Sequence, residues 1–361
     1  MARCGKLPVN RRVRIAVVGA GLVGVRHVDA INQAADVELA AIVDTSDAAR
    51  RLAEENQVLF YTSLQELLAE QSADGVLIST PTTLHVEQGL QCIEAGCPVL
   101  IEKPIATTAL DALELVTRGN HHGVSILVGH HRRHNPIIQN AHALIEAGKI
   151  GDIRTVQGTC WLYKPDDYFE VAPWRTKKGA GPISVNLVHD VDLMRYLLGD
   201  VTRVQAAASS SARGFENEDV AAAVLTFASG VVGTISVSDS VVSPWSWELT
   251  ASENPSYPAT SQSCLLLGGS KGSLSIPDLT LWTHQAVQSW WSPISATSVP
   301  QNFSDPLVNQ IRHFADVIRG KAEPLVSGVE GMKTLQVIEA IQMSAEQQRA
   351  IDIDQMVYQT G

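Results

Sequence analysis

The chain has 361 residues, 45% of them apolar and 18% charged, and a formal net charge of -11 at pH 7. This length favours two domains, and the dispersed negative charge argues against nucleic acid and anionic membrane surfaces as partners. The five cysteines are odd in number and widely spaced, which favours the reducing cytoplasm over a disulfide scaffold. Because no long apolar run opens or interrupts the chain, we expect neither a signal peptide nor a membrane span.

Three glycines follow the first apolar strand of the chain. The strand is predicted over Val13–Val18, and Gly19, Gly21 and Gly24 then have the spacing Gly-x-Gly-x-x-Gly at the start of an amphipathic helix. The first glycine permits a tight turn, the second lets a pyrophosphate approach the backbone, and the third lets helix and strand pack closely. The sequence therefore predicts a dinucleotide-binding loop, which also contains Leu22 and Val23. The alternative is a bare βαβ unit whose glycines serve packing alone.

Asp44 ends the second apolar run of the chain, residues 38–43. An acid at this place, about 20 residues past the glycines, accepts hydrogen bonds from the adenosine ribose and repels a 2′-phosphate. The sequence therefore predicts NAD as cofactor in preference to NADP. Arg50 and Arg51 would partly offset this preference, but we expect them to lie inside the following helix.

Strands and helices alternate up to residue 128. Strands are predicted at 59–62, 75–79, 98–101 and 125–128, and helices at 46–56, from 63 onward, at 82–95 and at 108–117. This alternation predicts a parallel, doubly wound sheet. Ligands of such sheets bind at the carboxyl ends of the strands, which is where the sequence places Thr80, Pro81, Glu102, Lys103 and Gly129.

The pattern changes after residue 132 to consecutive β-runs. A helix at 135–147, a strand at 153–163 and an apolar helix at 183–198 come first, and strands are then predicted at 204–208, 220–227, 231–237, 247–251, 264–267 and 273–276. Such runs without intervening helices favour an antiparallel sheet. Residues 289–304 are predicted as a loop, and helices at 307–319 and 329–348 close the chain. We predict a dinucleotide-binding domain, 1–132, and a substrate-binding and oligomerisation domain, 133–361.

Two side chains are candidates for chemistry. Lys103 would project over the carboxyl edge of the sheet, where its charge can stabilise a developing alkoxide, although a strand-end lysine in water is the alternative. His189 lies in an apolar, helical stretch with Asp192 one turn further on. Its imidazole can act as a general acid or base near neutral pH, and the alternative is a core histidine.

Other polar side chains have less specific interpretations. His130, His131 and His134 form a cluster, but no acid or cysteine completes a ligand set at useful spacing, so we predict no metal site. Arg132 and Arg133 are expected to anchor an acidic group or the seam between the domains.

Aromatic residues are concentrated in the second half of the chain. Tyr163, Trp174 and Arg175 either wall a pocket or belong to the core. The tryptophans of the antiparallel region indicate a surface that packs against another subunit: Trp245, Trp247, Trp290 and Trp291.

Taken together, the motifs resemble the Gfo/Idh/MocA family of nicotinamide-dependent oxidoreductases, nearly from end to end. The motifs that carry the resemblance are Gly19 to Gly24, Ser79-Thr80-Pro81 followed by His85, Glu102-Lys103-Pro104, Gly179-Ala180-Gly181, His189-Asp190-Val191-Asp192 and Leu197-Leu198-Gly199. The resemblance implies a Rossmann domain followed by an α/β domain with a large open sheet. It also implies a homodimer or homotetramer that associates through that sheet.

The resemblance also implies roles for individual residues. Lys103 would lie at the reacting centre and His189 would be the acid or base. Thr80, Pro81, His85 and Glu102 would contact the cofactor, and the substrate would meet Arg132, Tyr163, Trp174, Arg175 and Asn186. One departure stands out, because sugar- and inositol-oxidising members often have an aspartate where this chain has Val185, so the usual carboxylate of a proton relay is missing.

The sequence is therefore interpreted as an NAD-dependent oxidoreductase. It would move a hydride between nicotinamide and a carbinol or carbonyl carbon of a sugar, polyol or related hydroxylated ring. Two alternatives stay open: a cyclic dihydrodiol dehydrogenase of aromatic catabolism, and a non-catalytic, nucleotide-sensing regulatory protein.

Overall fold

The computed structural model describes residues 11–356, which fall into two compact units. The first comprises residues 11–134 with Ser304–Leu335, and the second comprises Asn135–Phe303 with residues 336–356. Cys4 and the N-terminal stretch on which the expectation of no signal peptide depends lie outside the described residues. In the part of the chain that is described, no helix is both long and apolar enough to cross a membrane.

The first unit is built on a six-stranded parallel sheet, which confirms the predicted doubly wound fold. Its strands run in the order β3-β2-β1-β4-β5-β6. They are β1 Val13–Val18, β2 Val37–Val43, β3 Leu59–Tyr61, β4 Gly75–Ile78, β5 Val99–Ile101 and β6 Ile126–Val128. The helices between them are α1 Leu22–Gln33, α2 Asp47–Glu55, α3 Leu64–Glu70, α4 His85–Glu94 and α5 Ala109–His122. The central strands are apolar on both faces because helices cover both sides of such a sheet.

One helix from the far end of the chain belongs to this first unit. Helix α10, Pro306–Ile318, buries Leu307, Ile311 and Phe314 in the same core as Ile15. Gly75 begins β4 where α10 packs against it, and a Cβ at this position would overlap the side chain of Ile318. The sequence assigned residues 307–319 to the second domain. Periodicity identifies the apolar face of a helix but not the element that the face packs against.

The second unit is built on a nine-stranded, mostly antiparallel sheet, as predicted. The strand order is β14-β13-β12-β11-β7-β10-β9-β8-β15, and only β7 and β10 pair in parallel. The strands are β7 Ile153–Trp161, β8 Val201–Ser210, β9 Glu218–Phe227, β10 Val232–Ser238, β11 Leu265–Gly269, β12 Gly272–Ile276, β13 Thr280–His284, β14 Ile294–Ser298 and β15 Ile351–Asp352. The helices are α6 Pro136–Glu146, α7 Asp166–Glu170, α8 Val188–Leu198 and α9 Trp247–Thr250, and α11, Gly328–Gln347, passes from the first unit into the second.

The two faces of this sheet differ in burial. Along β9, Ala221, Ala223 and Leu225 are buried, whereas Val220 and Val224 alternate with them and are exposed. The buried face packs on a core that includes Met194 of α8. The opposite face therefore presents apolar side chains to solvent within the unit.

Two local predictions in this unit were wrong. Residues 247–251 were predicted as a strand, but Trp247–Thr250 forms one turn of helix, α9. The Trp247 ring is buried and its Nε1 donates a hydrogen bond to Glu253, so burial of one large ring overrides the β-propensity of the segment. Residues 294–298, predicted as loop, form β14, which pairs with β13.

Candidate active site

A cleft of about 650 Å³ opens at the carboxyl ends of β1, β2 and β4 in the first unit. Val18 and Val43 end β1 and β2 there, and Ser79 directly follows β4, so the cleft lies where ligands bind in doubly wound sheets. Seven residues predicted to bind the cofactor are among those that line it: Gly19, Gly21, Leu22, Val23, Asp44, Thr80 and Pro81.

The three glycines of the loop have different structural reasons to be glycine. Gly19 has a φ of +85°, and a Cβ there would lie 2.8 Å from the amide nitrogen of Thr80. A Cβ on Gly24 would overlap the carbonyl oxygen of Gly19. A Cβ on Gly21 would meet no protein atom. The protein itself does not require glycine at position 21, so its lack of a side chain suits close approach by a ligand.

Gly21 is also the residue that caps the N-terminus of α1. The first intrahelical hydrogen bond runs from the amide of Val25 to the carbonyl of Gly21, so the amides just before Val25 have no partner within the helix. Unpaired amides at a helix N-terminus, beside a glycine that leaves room, form an anion-binding site. The residues present therefore fit the pyrophosphate of a dinucleotide.

Asp44 borders the same cleft and braces the glycine loop. Its Oδ2 accepts a hydrogen bond from the amide of Ala20 at 2.8 Å, and its Oδ1 accepts one from Ser46 at 2.8 Å. Partial burial raises the pKa of Asp44, but these amide hydrogen bonds outweigh burial and leave the pKa below its usual value. The guanidinium of Arg50 lies 4.5 Å from the centre of the Phe60 ring, so this arginine is engaged by a cation–π contact.

Lys103 follows β5 at the same edge of the sheet and is half-buried. Two predicted cofactor ligands next to it turn inward instead of lining the cleft. The carboxylate of Glu102 accepts hydrogen bonds from His27 and from the amide of Lys103. His85 is buried, with Nδ1 2.9 Å from the carbonyl oxygen of Pro104 and Nε2 2.9 Å from that of Thr80. His85 therefore joins the loops after β4 and β5, and burial lowers its pKa although both carbonyl groups oppose this.

The basic cluster after β6 is internal to the first unit. Arg132 and Arg133 are buried, and Arg133 forms an ion pair with Glu330 at 3.1 Å. The rings of His134 and His313 contact each other at a tilt of 49°, with ring centres 5.1 Å apart. Within residues 11–356, no group of three histidine, cysteine or acidic side chains is arranged to hold a metal ion.

In the second unit, a π-helical turn, Ile183–Leu187, leads directly into α8. Asn186 lies on this turn, and its Oδ1 accepts a hydrogen bond of 2.7 Å from the Nζ of Lys164. His189 is half-buried in the first turn of α8, three residues after Asn186. Val185, at the position where the family resemblance led us to expect an acid, is half-buried.

Lys164 was missed by sequence analysis. It is 7% exposed, and its Nζ lies 3.4 Å from Asp239, which also pairs with Arg213 at 2.9 Å. Burial lowers the pKa of Lys164, while the charge of Asp239 opposes this. Lys164 and Asp239 follow β7 and β10, which are parallel neighbours, so their ends coincide. The sequence contains no signal for that pairing, since the two strands are 70 residues apart.

The aromatic candidates of this unit lie at its surface. Tyr163 is 52% exposed and Trp174 is 59% exposed, so neither is a core residue. The Arg175 guanidinium lies 3.9 Å from the centre of the Tyr168 ring and donates a hydrogen bond to the carbonyl oxygen of Tyr168. Tyr163, Tyr168, Trp174 and Arg175 therefore form a cluster of aromatic rings and one positive charge in the segment that follows β7.

Comparison with known proteins gives concordant results. Residues 13–130 match the sequence model described as "Oxidoreductase family, NAD-binding Rossmann fold", and residues 138–275 match the GFO/IDH/MocA C-terminal domain. The chain is 27% identical to D-apiose dehydrogenase of Paraburkholderia graminis over 95% of this chain and 90% of that protein. It is 31% identical to inositol 2-dehydrogenase 1 of Saccharopolyspora erythraea over 62% of this chain and 67% of that protein.

A solved dehydrogenase structure is also similar to this chain over nearly its whole length. The WlbA dehydrogenase from Bordetella pertussis, solved with NADH and UDP-GlcNAcA, is 28% identical, covers 95% of this chain and 99% of its own, and superposes with a TM-score of 0.75. The first matched segment covers all six strands of the parallel sheet, and the second covers β7 to β11 and most of β12. The chain therefore belongs to the Gfo/Idh/MocA family of oxidoreductases, with an NAD-binding Rossmann fold.

Proposed function

We propose that this oxidoreductase is an NAD-dependent dehydrogenase or reductase of a sugar, polyol or related hydroxylated ring. The observation that carries the proposal is the cleft of the first unit. Gly21 leaves open space there beside the unpaired amides at the start of α1, and Asp44, whose pKa is lowered, is ionised at the edge of the cleft. The names of the relatives, an apiose and an inositol dehydrogenase, support the substrate class. A negative charge at Asp44 favours the free ribose of NAD over the phosphate of NADP.

Each part of the reaction has a candidate residue. When bound, the nicotinamide supplies the hydride chemistry. The amides at the start of α1 hold the pyrophosphate, and Asp44 accepts hydrogen bonds from the ribose. The ammonium of Lys103 stabilises negative charge that develops on the substrate oxygen, and His189 exchanges the proton of that oxygen.

The proton path in this chain differs from one that ends in a carboxylate. Val185 carries no proton, and an amide such as Asn186 does not exchange one as an acid does. The hydrogen bond from Lys164 fixes the amide of Asn186 one turn before His189. This arrangement favours a binding role for Asn186, towards a substrate hydroxyl, with Tyr163, Trp174 and Arg175 as further substrate contacts.

The decisive experiment is a substrate panel followed by NADH absorbance. Purified enzyme is mixed with sugars, inositols and cyclic dihydrodiols, each with NAD and with NADP. Oxidation of a sugar or inositol, faster with NAD, is the expected result. Oxidation of dihydrodiols alone would instead support the aromatic-catabolism alternative, and NADH binding without any turnover would support a regulatory protein.

The exposed apolar face of the second sheet supports a proposal about assembly. Val220, Val224, Val232, Leu266 and Trp282 are each more than a third exposed within the unit. We expect a second copy to cover this face in a homodimer or homotetramer, since open sheets bury their apolar faces. Sedimentation velocity at micromolar concentration tests this, and a purely monomeric protein contradicts it. We also propose a cytoplasmic location, with which the free thiols of Cys92 and Cys97 accord.

A further inference from the structure

A buried carboxylate, that of Glu102, contacts the main chain of Lys103. Glu102 is 9% exposed, and His27, in the middle of α1, is fully buried. The Nε2 of His27 lies 2.7 Å from Oε1 of Glu102, and because a carboxylate only accepts, His27 is the donor. The second oxygen, Oε2, accepts a hydrogen bond of 3.0 Å from the amide of Lys103. Glu102 therefore connects α1 to the main chain of Lys103.

The surrounding structure leaves space for this carboxylate. Gly129 follows β6, and a Cβ there would lie 2.9 Å from the carboxyl carbon and from both oxygens of Glu102. Burial of a carboxylate is costly unless donors compensate for the lost water. His27 and the amide of Lys103 are two such donors, one for each oxygen. The position is thus built for a buried acid.

Several charged or titratable groups face Glu102. His27 approaches from α1, His85 from α4, His131 from the turn after β6, and Lys103 adjoins it in the chain. Burial raises the pKa of Glu102, but the hydrogen bond from His27 and the charges of His27, Lys103 and His131 lower it to about 2. Glu102 is therefore ionised at working pH. Attraction between charges is mutual, so an ionised Glu102 favours the ammonium form of Lys103.

We propose that His27 is a positioning residue for Lys103. By donating to Glu102, it holds an ionised carboxylate against the amide of Lys103, which orients that residue and keeps its side chain charged. The link from His27 to catalysis rests on the role proposed above for Lys103. The effect of Glu102 on the titration of Lys103 is independent of that role.

Three variants separate this role from simple packing. His27→Leu fills the space but removes the donor, His27→Gln retains an N–H at the same reach, and Glu102→Gln removes the charge. Loss of a hydrogen bond to a charged group predicts that kcat of His27→Leu falls about 10- to 100-fold, with KM and NADH affinity little changed. We expect His27→Gln to restore most of kcat. His142→Leu, on α6 in the second unit, is the matched control and should behave like the native enzyme.

The pH profile gives a second readout that packing alone would not change. Without the His27 donor the pKa of Glu102 rises, so kcat of His27→Leu should show a new loss at acid pH that is absent from the native enzyme and from His27→Gln. An equal kcat in His27→Leu and the native enzyme, or a parallel profile of the two, overturns the proposal.

A direct measurement on Lys103 needs no substrate. Competitive acetylation, read by mass spectrometry across pH, reports when the Lys103 amine loses its proton. We expect Lys103 to react at lower pH in Glu102→Gln, which lacks the negative charge at every pH, than in the native enzyme and His27→Gln. Identical titration in native enzyme and Glu102→Gln refutes the proposal, even if His27→Leu does not fold. Failure of every alcohol in the substrate panel would refute the proposed function but leave this labelling result standing.

Discussion

Asp44→Ala tests the cofactor assignment, because this side chain both braces the glycine loop and borders the cleft. In the folded chain it accepts hydrogen bonds from the amides of Ala20 and Ser46, and at the cleft it is proposed to accept from the ribose. A hydrogen bond to a charged group contributes about 1.5–3 kcal/mol, so loss of the ribose contact should raise the Kd for NADH about 10- to 150-fold. Loss of the charge also removes repulsion of a 2′-phosphate, so NADPH binding should strengthen.

The assay is equilibrium titration of NADH and NADPH by fluorescence, with thermal unfolding measured in parallel. Asp47→Ala is the matched control, since it removes the same charge three residues away in the first turn of α2, where the side chain is exposed. We expect the ratio of the two Kd values to change strongly in Asp44→Ala and little in Asp47→Ala. If Asp44→Ala binds NADH within about twofold of the native protein, less than 0.5 kcal/mol, the assignment of Asp44 to the ribose is wrong.

Three further predictions concern turnover, the second unit and acid stability. Lys103→Met should lower turnover about 10²–10³-fold with NADH affinity retained. His189→Ala should keep activity that rises with pH, because Val185 leaves His189 without the usual carboxylate of a proton relay. Equal losses of turnover in the two variants at every pH would contradict this. Lys164→Met should destabilise the protein to urea by about 1–3 kcal/mol, because a buried hydrogen bond is lost, and exposed Lys178→Met is its control. The pKa of Glu102 is lowered from 4.5 to about 2, so its contribution to the free energy of unfolding is present above pH 4.5 and lost as pH falls through about 2. Urea unfolding of Glu102→Gln over this pH range should lack that loss. The same pH dependence in Glu102→Gln as in the native protein would contradict the prediction.

The sequence by itself determined the class of the protein. The spacing of Gly19, Gly21 and Gly24, and the position of Asp44 after the second strand, are local patterns that require one backbone geometry. The alternation of strands and helices up to residue 128 predicted the parallel sheet, and the consecutive β-runs predicted the antiparallel one. These predictions succeeded because each depends on neighbours within a few tens of residues, where period and turn chemistry act.

Only the tertiary structure decided which distant residues meet. His27 and Glu102 are 75 residues apart in the chain, and the fold joins them by a hydrogen bond of 2.7 Å. Lys164 meets Asp239 because β7 and β10 pair in parallel, and α10 packs in the core of the first unit after a chain excursion through the second. Hydrophobic periodicity does not predict such pairings. It shows which face of an element is buried, but not which part of the chain covers that face.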